Sequence, residues 1–519
     1  MKYKQSGITL AVTSPVISAI QTADQMRKAA SNTDDTRMQA LAAGTTALAA
    51  NNAKNAVIAG NTPQLDEHGL QVLDANGNNT AENPANQVGG INVSISIGSS
   101  KSSSETKQTS TSAASSHLTA GGDINITAVR PRIEYGAGSE HVEGQCAYAG
   151  DINVIGSQIK ANDDVTLKAD NQINLLAAQN VDTLKSKNKG SSASLGVSFG
   201  TDGLLFTAGA SGSKGKTKGN GSTWTETVVQ GGNQAGDTVK LESGTDTNLI
   251  GAQVIGNQVI ANVGTSGQGN LNIQSLQDTN QYKDKQQSIG GSISVGAGKM
   301  GGSFSYSDSK TKSNYASVNE QSGIMAGDGG FQINVNGNTN LTGAVIASTE
   351  PAIKQNLNSL TTQTLTTSNI ENSAEYSAKG VSVGTGVGLN QQPDGTYKNA
   401  PTASAGSSSQ SDDSNSMTVS GISGGTVSIS NPSTSSGQAA QTVLTGQDAI
   451  TTVATLNRDV TTQRNTDAQG NITAIAVDSN GNNLASTLTP LFDQAQVQSE
   501  LNAQIQITQA FSRIMRAVK

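Results

Sequence analysis

Between residues 150 and 180 the apolar positions come in short groups cut apart by Gly, Asn or Asp. Ile152, Val154 and Ile155 precede Gly156; Ile159 precedes Asn162–Asp163–Asp164; Val165 and Leu167 precede Asp170; Ile173, Leu175 and Leu176 close the block. Residues 237–264 repeat the pattern with Gly251, Gly256 and Gly264 at the breaks, and 331–348 repeat it again. Period-two alternation with this punctuation predicts strands and turns. A coil of about three such strands and twenty residues buries too few aliphatic side chains to offset its own ordering entropy. Stacking coils at about 4.8 Å lets them share one thin core, so the pattern predicts a mainly β protein built as a parallel β-helix. Gly and Asn stand at the corners because they accept positive φ.

A longer period of roughly a hundred residues lies over the short one. Alternating strands ending in glycine recur as GGINVSISIG (89–98), SSASLGVSFG (191–200), GGSISVGAG (290–298) and KGVSVGTGVG (379–388). A Ser/Thr/Lys-rich tract follows each, and then a glycine turn with a further strand, as in LTAGGDINITA (118–128), VQGGNQAGDTVKLESG (229–244) and MAGDGGFQINVNG (325–337). These cassettes predict β-hairpin ribbons protruding from the solenoid. In KSKNKG (185–190), KGKTKG (214–219) and KTK (310–312) lysine alternates with small polar residues, which puts every Lys on one face of a ribbon. Such a face protects a sheet edge from mispairing; binding an anionic glycan or a membrane surface is its other use.

The ends follow a different period. Ser14 can cap a helix that begins at Pro15, with Val16, Ile17, Ile20, Ala23 and Met26 on one side. A second helix is predicted from Asp34 and Asp35 through Met38, Leu41, Thr45 and Leu48. This helical hairpin accounts for more of the opening residues than a secretory signal does, since ITLAVTSPVISAI carries Thr, Ser and Pro and no small-residue cleavage site follows. After Pro490, a stripe of Val497, Leu501, Ile505, Phe511 and Met515 predicts a helix with Arg513, Arg516 and Lys519 in its last turns, packed as a cap on the solenoid end. The chain thus divides into a helical segment (1–62), a linker (63–88), the repeat solenoid (89–392), a Ser/Gly/Pro-rich irregular stretch (393–436) and a helical capping segment (437–519).

Composition narrows the function. The 519 residues include 58 Gly but only 1 Trp, 8 Tyr and 6 Phe; charged residues make up 14%, with 3 His and 1 Cys. Few aromatic and ionisable groups leave little from which to build a water-excluding catalytic pocket. A single cysteine, Cys146, excludes a disulfide framework. A net charge of -7 argues against nucleic acid as partner. No apolar run has the length of a membrane span.

Several motifs imitate chemistry. ASGSKGKT (210–217) fits the phosphate-loop pattern through Gly215, Lys216 and Thr217, but Gly219 and Gly221 break the helix such a loop must open. GAGKMG (296–301) matches a dinucleotide fingerprint inside a strand-turn cassette that has no βαβ unit. Glu140, His141, Glu143 and Cys146 could chelate weakly, yet no second cluster completes a site. His68 and His117 are isolated, and residues 440–519, where a nuclease would sit, hold no His. The sequence therefore offers no catalytic, cofactor-binding or metal residues and points to neither an enzyme nor a small-molecule substrate.

The cassette order, with GSQIKANDDVTLKADNQINLLAAQN and GAQVIGNQVIA, resembles the repeats of filamentous haemagglutinin-like exoproteins, and most nearly the effectors of contact-dependent growth inhibition secreted by the two-partner (type V) route. SGITLAVTSPVISAIQTADQMRKAASNTDDTRMQALAAG resembles the helical stretch that interrupts the repeats of that family, and LTPLFDQAQVQSELNAQIQITQAF (488–511) the segment before its pretoxin domain. The resemblance implies a right-handed parallel β-helix, a non-catalytic structural and delivery role at the bacterial cell surface, an outer-membrane transporter as secretion partner, and the target-cell outer membrane or a receptor as contact. It also leaves an adhesin that binds a receptor or glycan as the alternative. A secretion domain, the pretoxin motif and a toxin domain are missing from the resemblance, so the sequence is expected to be a piece of a larger exoprotein or a truncated gene. VRPRIEYGAGSEHVEGQCAY (129–148) and RIMRAVK (513–519) break the pattern as a frameshift scar would.

Overall fold

The computed structural model describes residues 2–60, 91–130, 150–200, 203–296, 299–391, 397–430, 443–444, 456–467 and 471–517. The chain is mainly β: a stack of parallel coils from which paired strands project as ribbons. Each coil has three sides, and equivalent residues stand above one another from coil to coil. On the first side the column runs Leu118, Ile159, Val229, Val254, Ile324, Ile346 and Ile422. On the second it runs Ile126, Leu167, Leu241, Ala261, Ile333, Leu360 and Val427. On the third it runs Val154, Leu175, Leu249, Ile273 and Leu341. The columns share one core in which Leu167, Leu175, Leu241, Leu249 and Ile273 are completely buried.

Asparagine has a different use from the one the sequence suggested. Asn153, Asn174, Asn248 and Asn272 form an outward-facing column, each amide bonded to the next at 2.8–2.9 Å. Among the described residues only Asn356 and Ser486 have positive φ without being glycine. Left-handed corners fall to glycine where one coil passes directly into the next. Gly156 and Gly343 adopt φ of 53° and 56°, and a Cβ there would stand 2.5 Å from Ala178 and Ile370 respectively. Those neighbours are the first residues of departing ribbons. Gly256, by contrast, lies at a register shift within a continuous strand.

Ribbon 1 pairs Lys2–Thr13 with Asn92–Thr111, ribbon 2 Ala178–Gly200 with Leu205–Thr225, ribbon 3 Gln277–Gly296 with Lys299–Val318, and ribbon 4 Ile370–Gln391 with Tyr397–Thr418. From ribbon 2 onward, one ribbon leaves after every second coil, which accounts for the long sequence period. Two coils advance about 9.6 Å along the stack, and a two-stranded ribbon is about as wide. Consecutive ribbons therefore meet edge to edge and pair antiparallel into a single eight-stranded sheet.

Four expectations need correction. Residues 2–13 open the chain as a strand, because Ile8, Leu10 and Val12 alternate and continue the apolar rows of the neighbouring strand. Within 393–436, Tyr397–Thr418 is not irregular but the last strand of the sheet, its small residues tolerated at an outer position. The helix within 437–519 begins only at Gln494, after a hairpin of Thr461–Thr466 and Ile472–Val477 whose Ile472 and Ala474 pack on Ile255 and Met325. That helix does not cap the solenoid end. Its Val497 and Leu501 pack on Tyr376 and Ala378 of ribbon 4, while Ala503, Ile507 and Ala510 meet Met26, Ala29 and Ala42.

Those last three residues belong to helices α1 (Pro15–Ala30) and α2 (Thr36–Gly60). Ser14 caps α1, its hydroxyl accepting from the Ile17 amide at 3.1 Å, with Pro15 at the first position. Ile20, placed on the packing stripe by periodicity, points outward instead. Thr33 and Gln410 both donate to buried Glu500, which ties the helical hairpin, the C-terminal helix and ribbon 4 together.

Candidate interaction surface

The two faces of the eight-stranded sheet have different chemistry, and the difference follows from alternation within each strand. One face is Ser, Gly and Thr toward the ribbon tips, with Tyr282 and Tyr376 nearer the solenoid, both against Phe492. Ser192–Ser211, Ser288–Ser307 and Ser292–Ser303 bond across neighbouring strands at 2.6–2.7 Å. The C-terminal helix lies on this face: a Cβ on Gly380 would stand 2.7 Å from Ile505, so small residues allow the close approach.

The other face is divided along its length. Toward the ribbon tips it is apolar, with rows that cross the strands. Ile8, Ile97, Leu195, Ala208 and Ile293 form one row, and Leu10, Ile95, Val197, Phe206, Val295 and Met300 the next. Ile289, Tyr306 and Val383 stand in a third. Ile8 is 74% exposed, Leu195 68% and Ile293 63%. Contiguous exposed apolar rows of this kind mark an interaction surface and not a solvated face.

Nearer the solenoid the same face becomes cationic. Lys187, Lys216, Lys285, Lys310 and Lys379 stand side by side on five consecutive strands. Lys107, Lys185, Lys218, Lys283 and Lys312 form a second row. Every one of these lysines is exposed. Strand spacing of about 4.8 Å puts neighbouring charges well inside the Debye length of about 8 Å, so each row carries repulsion that the fold must tolerate. Two acids stand beside the rows: Glu105, opposite Lys187 on the neighbouring strand, and Asp308, 3.7 Å from Lys310. The edge-protection reading of the lysine tracts fails here, because the edge strands are Lys2–Thr13 and Tyr397–Thr418 and most of these lysines stand on interior strands. A signal for this arrangement is present in the sequence as a mirror order about the turns of ribbons 2 and 3: lysines, apolar alternation, turn, apolar alternation, lysines.

At the ribbon roots sits an acidic group. Glu226 is pushed up to about 9 by burial, reinforced by the neighbouring carboxylates of Glu320 and Asp278. Asp278 is itself raised, chiefly by burial, and accepts from the Trp224 amide at 3.0 Å. The group holds the junction of ribbons 2 and 3, and Asp278 also lines a groove beside Tyr315 and Leu488.

The motif candidates are not brought together. Gly215, Lys216 and Thr217 lie in the middle of a ribbon strand, with no helix after them. Gly296 ends one strand of ribbon 3 and Lys299 begins its partner. His117 is exposed, its Nδ1 3.1 Å from Gln158. His68, Glu140, His141, Glu143 and Cys146 lie outside the described residues. Among the described residues no group of His, Cys, Asp and Glu is placed to hold a metal, and no helix is long and apolar enough to cross a membrane.

Residues 95–289, from ribbon 1 to ribbon 3, match the Hemagglutinin repeat family. Over 439 residues the chain is 40% identical to Toxin CdiA of Escherichia coli, a match that covers 82% of this chain and 13% of that protein. Residues 95–289 are haemagglutinin repeats, similar to those of CdiA proteins. Deoxyribonuclease CdiA of Dickeya dadantii is 35% identical over 399 residues (76% of this chain, 10% of that protein). Deoxyribonuclease CdiA of Yersinia pseudotuberculosis is 37% identical over 387 residues (74% and 32%). The chain therefore spans about a tenth to a third of the length of these curated relatives. No solved structure matches it.

Proposed function

We propose that this chain is a non-catalytic structural and delivery segment of a secreted CdiA-like exoprotein. The solenoid acts as a rigid rod, and the eight-stranded sheet as the part that meets the target cell. The observation that carries this reading is the two-zone face of the sheet, apolar at the tips and cationic behind, on repeats of the CdiA type. The core is in keeping with a structural role, since the described coils are filled with aliphatic side chains. The full exoprotein would use an outer-membrane transporter of the two-partner kind for secretion. It would act from the producer cell surface on the outer membrane, or a receptor, of its target. We test this by deleting residues 89–392 from the full exoprotein. Surface display is expected to persist and toxin delivery in a competition co-culture to disappear; undiminished delivery would overturn the reading.

The exposed face also suits an adhesin that binds a cell-surface receptor or glycan. In that case the intact exoprotein attaches producer cells to targets without delivering toxin, and the deletion abolishes that attachment.

A further inference from the structure

We propose that the two lysine rows bind the phosphates of lipid headgroups, seating the sheet on an anionic bilayer surface with its apolar rows turned to the acyl chains. The inference rests on the delivery reading and assigns the chemistry of its contact. The juxtaposition of the two zones carries it. From Ile289 to Val295 the apolar band runs seven residues along one strand, about 20 Å at strand rise, and Lys285 and Lys283 continue the same face of that strand. An amphipathic surface graded in this order matches a bilayer interface, where hydrocarbon gives way to charged headgroups.

The cations are all lysine. No arginine occurs in any ribbon. A lysine is a point charge on a flexible apolar stem, suited to reaching a headgroup phosphate at the margin of an apolar zone. Where the zones meet, a groove of about 720 Å³ is lined by Lys101, Lys189, Lys214, Ile289 and Tyr306, which combines ammonium groups with an apolar floor. The rows stand in a chain whose net charge is -7, so the positive charge is segregated onto this face and is not a property of the whole surface. A soluble polyanion would satisfy the lysines alone and leave the apolar rows without a use.

The test is flotation of the full chain with vesicles of phosphatidylcholine alone or with one third phosphatidylglycerol, beside binding to intact Gram-negative cells. The variants are K187Q, K216Q, K285Q, K310Q and K379Q combined, and I289S with I293S. Circular dichroism and melting of each variant confirm that the fold is kept. Expected are at least tenfold tighter binding to the anionic vesicles, a loss of at least tenfold in the five-lysine variant, and weakening by raised salt. The I289S/I293S variant is expected to retain salt-sensitive attachment and be washed off more readily. Equal binding to both vesicle types, or an unchanged five-lysine variant, overturns the proposal. So does binding to heparin or DNA but not to vesicles, which identifies a soluble polyanion instead. If wild type and five-lysine variant bind cells equally, the lipid assignment fails and the delivery reading stands; if wild type binds no cells, the delivery reading itself fails.

Discussion

Leu249→Ala is the sharpest test of the stacked-coil core. Leu249 is completely buried, with Leu175 paired to it on one neighbouring coil and Ile273 on the other. The substitution removes three carbons, worth about 2.4 kcal/mol of transfer at about 0.8 kcal/mol each. Both neighbouring strands are held in place by ladder hydrogen bonds, so the site cannot collapse and a cavity term adds to the loss. Together these give about 3–4 kcal/mol, within the range for Leu→Ala in rigid cores. A solenoid couples each coil chiefly to its neighbours, so the damage should be local. Hydrogen exchange read by mass spectrometry should show faster exchange in peptides covering 158–176, 238–250 and 252–274, and little change in 359–368. A destabilisation below about 1 kcal/mol, or an equal loss of protection at 359–368, would refute the reasoning.

The remaining predictions concern corners, roots and the helix. Gly343→Ala puts a Cβ 2.5 Å from Ile370 in a left-handed backbone; it should cost about 2–3 kcal/mol, read as a lowered melting temperature. Glu226 carries a folded-state value of about 9 against 4.5, so the folded state binds the extra proton. The stability it supports is fully present below about pH 4.5 and is lost progressively up to about pH 9. Glu226→Gln should flatten that slope and stabilise the protein by up to about 3 kcal/mol at pH 7, with no gain at pH 4; a gain that does not depend on pH would count against the assignment. Leu501→Asp should detach the C-terminal helix from Tyr376 and Ala378, exposing 494–517 to limited proteolysis while the solenoid stays resistant.

The short period in 150–180 and 237–264 was enough to read the coils, because each coil is local and its core residues alternate within a few positions. The helix at Pro15 was equally legible, since cap and proline are adjacent in sequence. What could not be read was contact across a hundred residues. The lysine tracts announce a single face, but that Lys216 stands between Lys187 and Lys285 depends on two coils matching the width of one ribbon. The strand at Tyr397–Thr418 was hidden by composition, since its Ser-rich run looks irregular until its own hairpin partner, Ile370–Gln391, is set against it. The C-terminal stripe fixed a helix but not its destination, because Gly380 and Ala378 become a docking face only after the sheet is assembled. No site residues were assigned from sequence, and the surface proposed here belongs to no single motif.

The central claim is that the two-zone face of the sheet, and not the solenoid wall, meets the target cell. Lysine-acetylation footprinting of the chain, free and bound to intact target cells, tests it most directly. Lys187, Lys216, Lys285, Lys310 and Lys379 should be protected on binding, while Lys168 on the solenoid and Lys354 in the short helix Glu350–Lys354 stay reactive. Protection of Lys168 and Lys354 with the five row lysines still reactive would contradict the account.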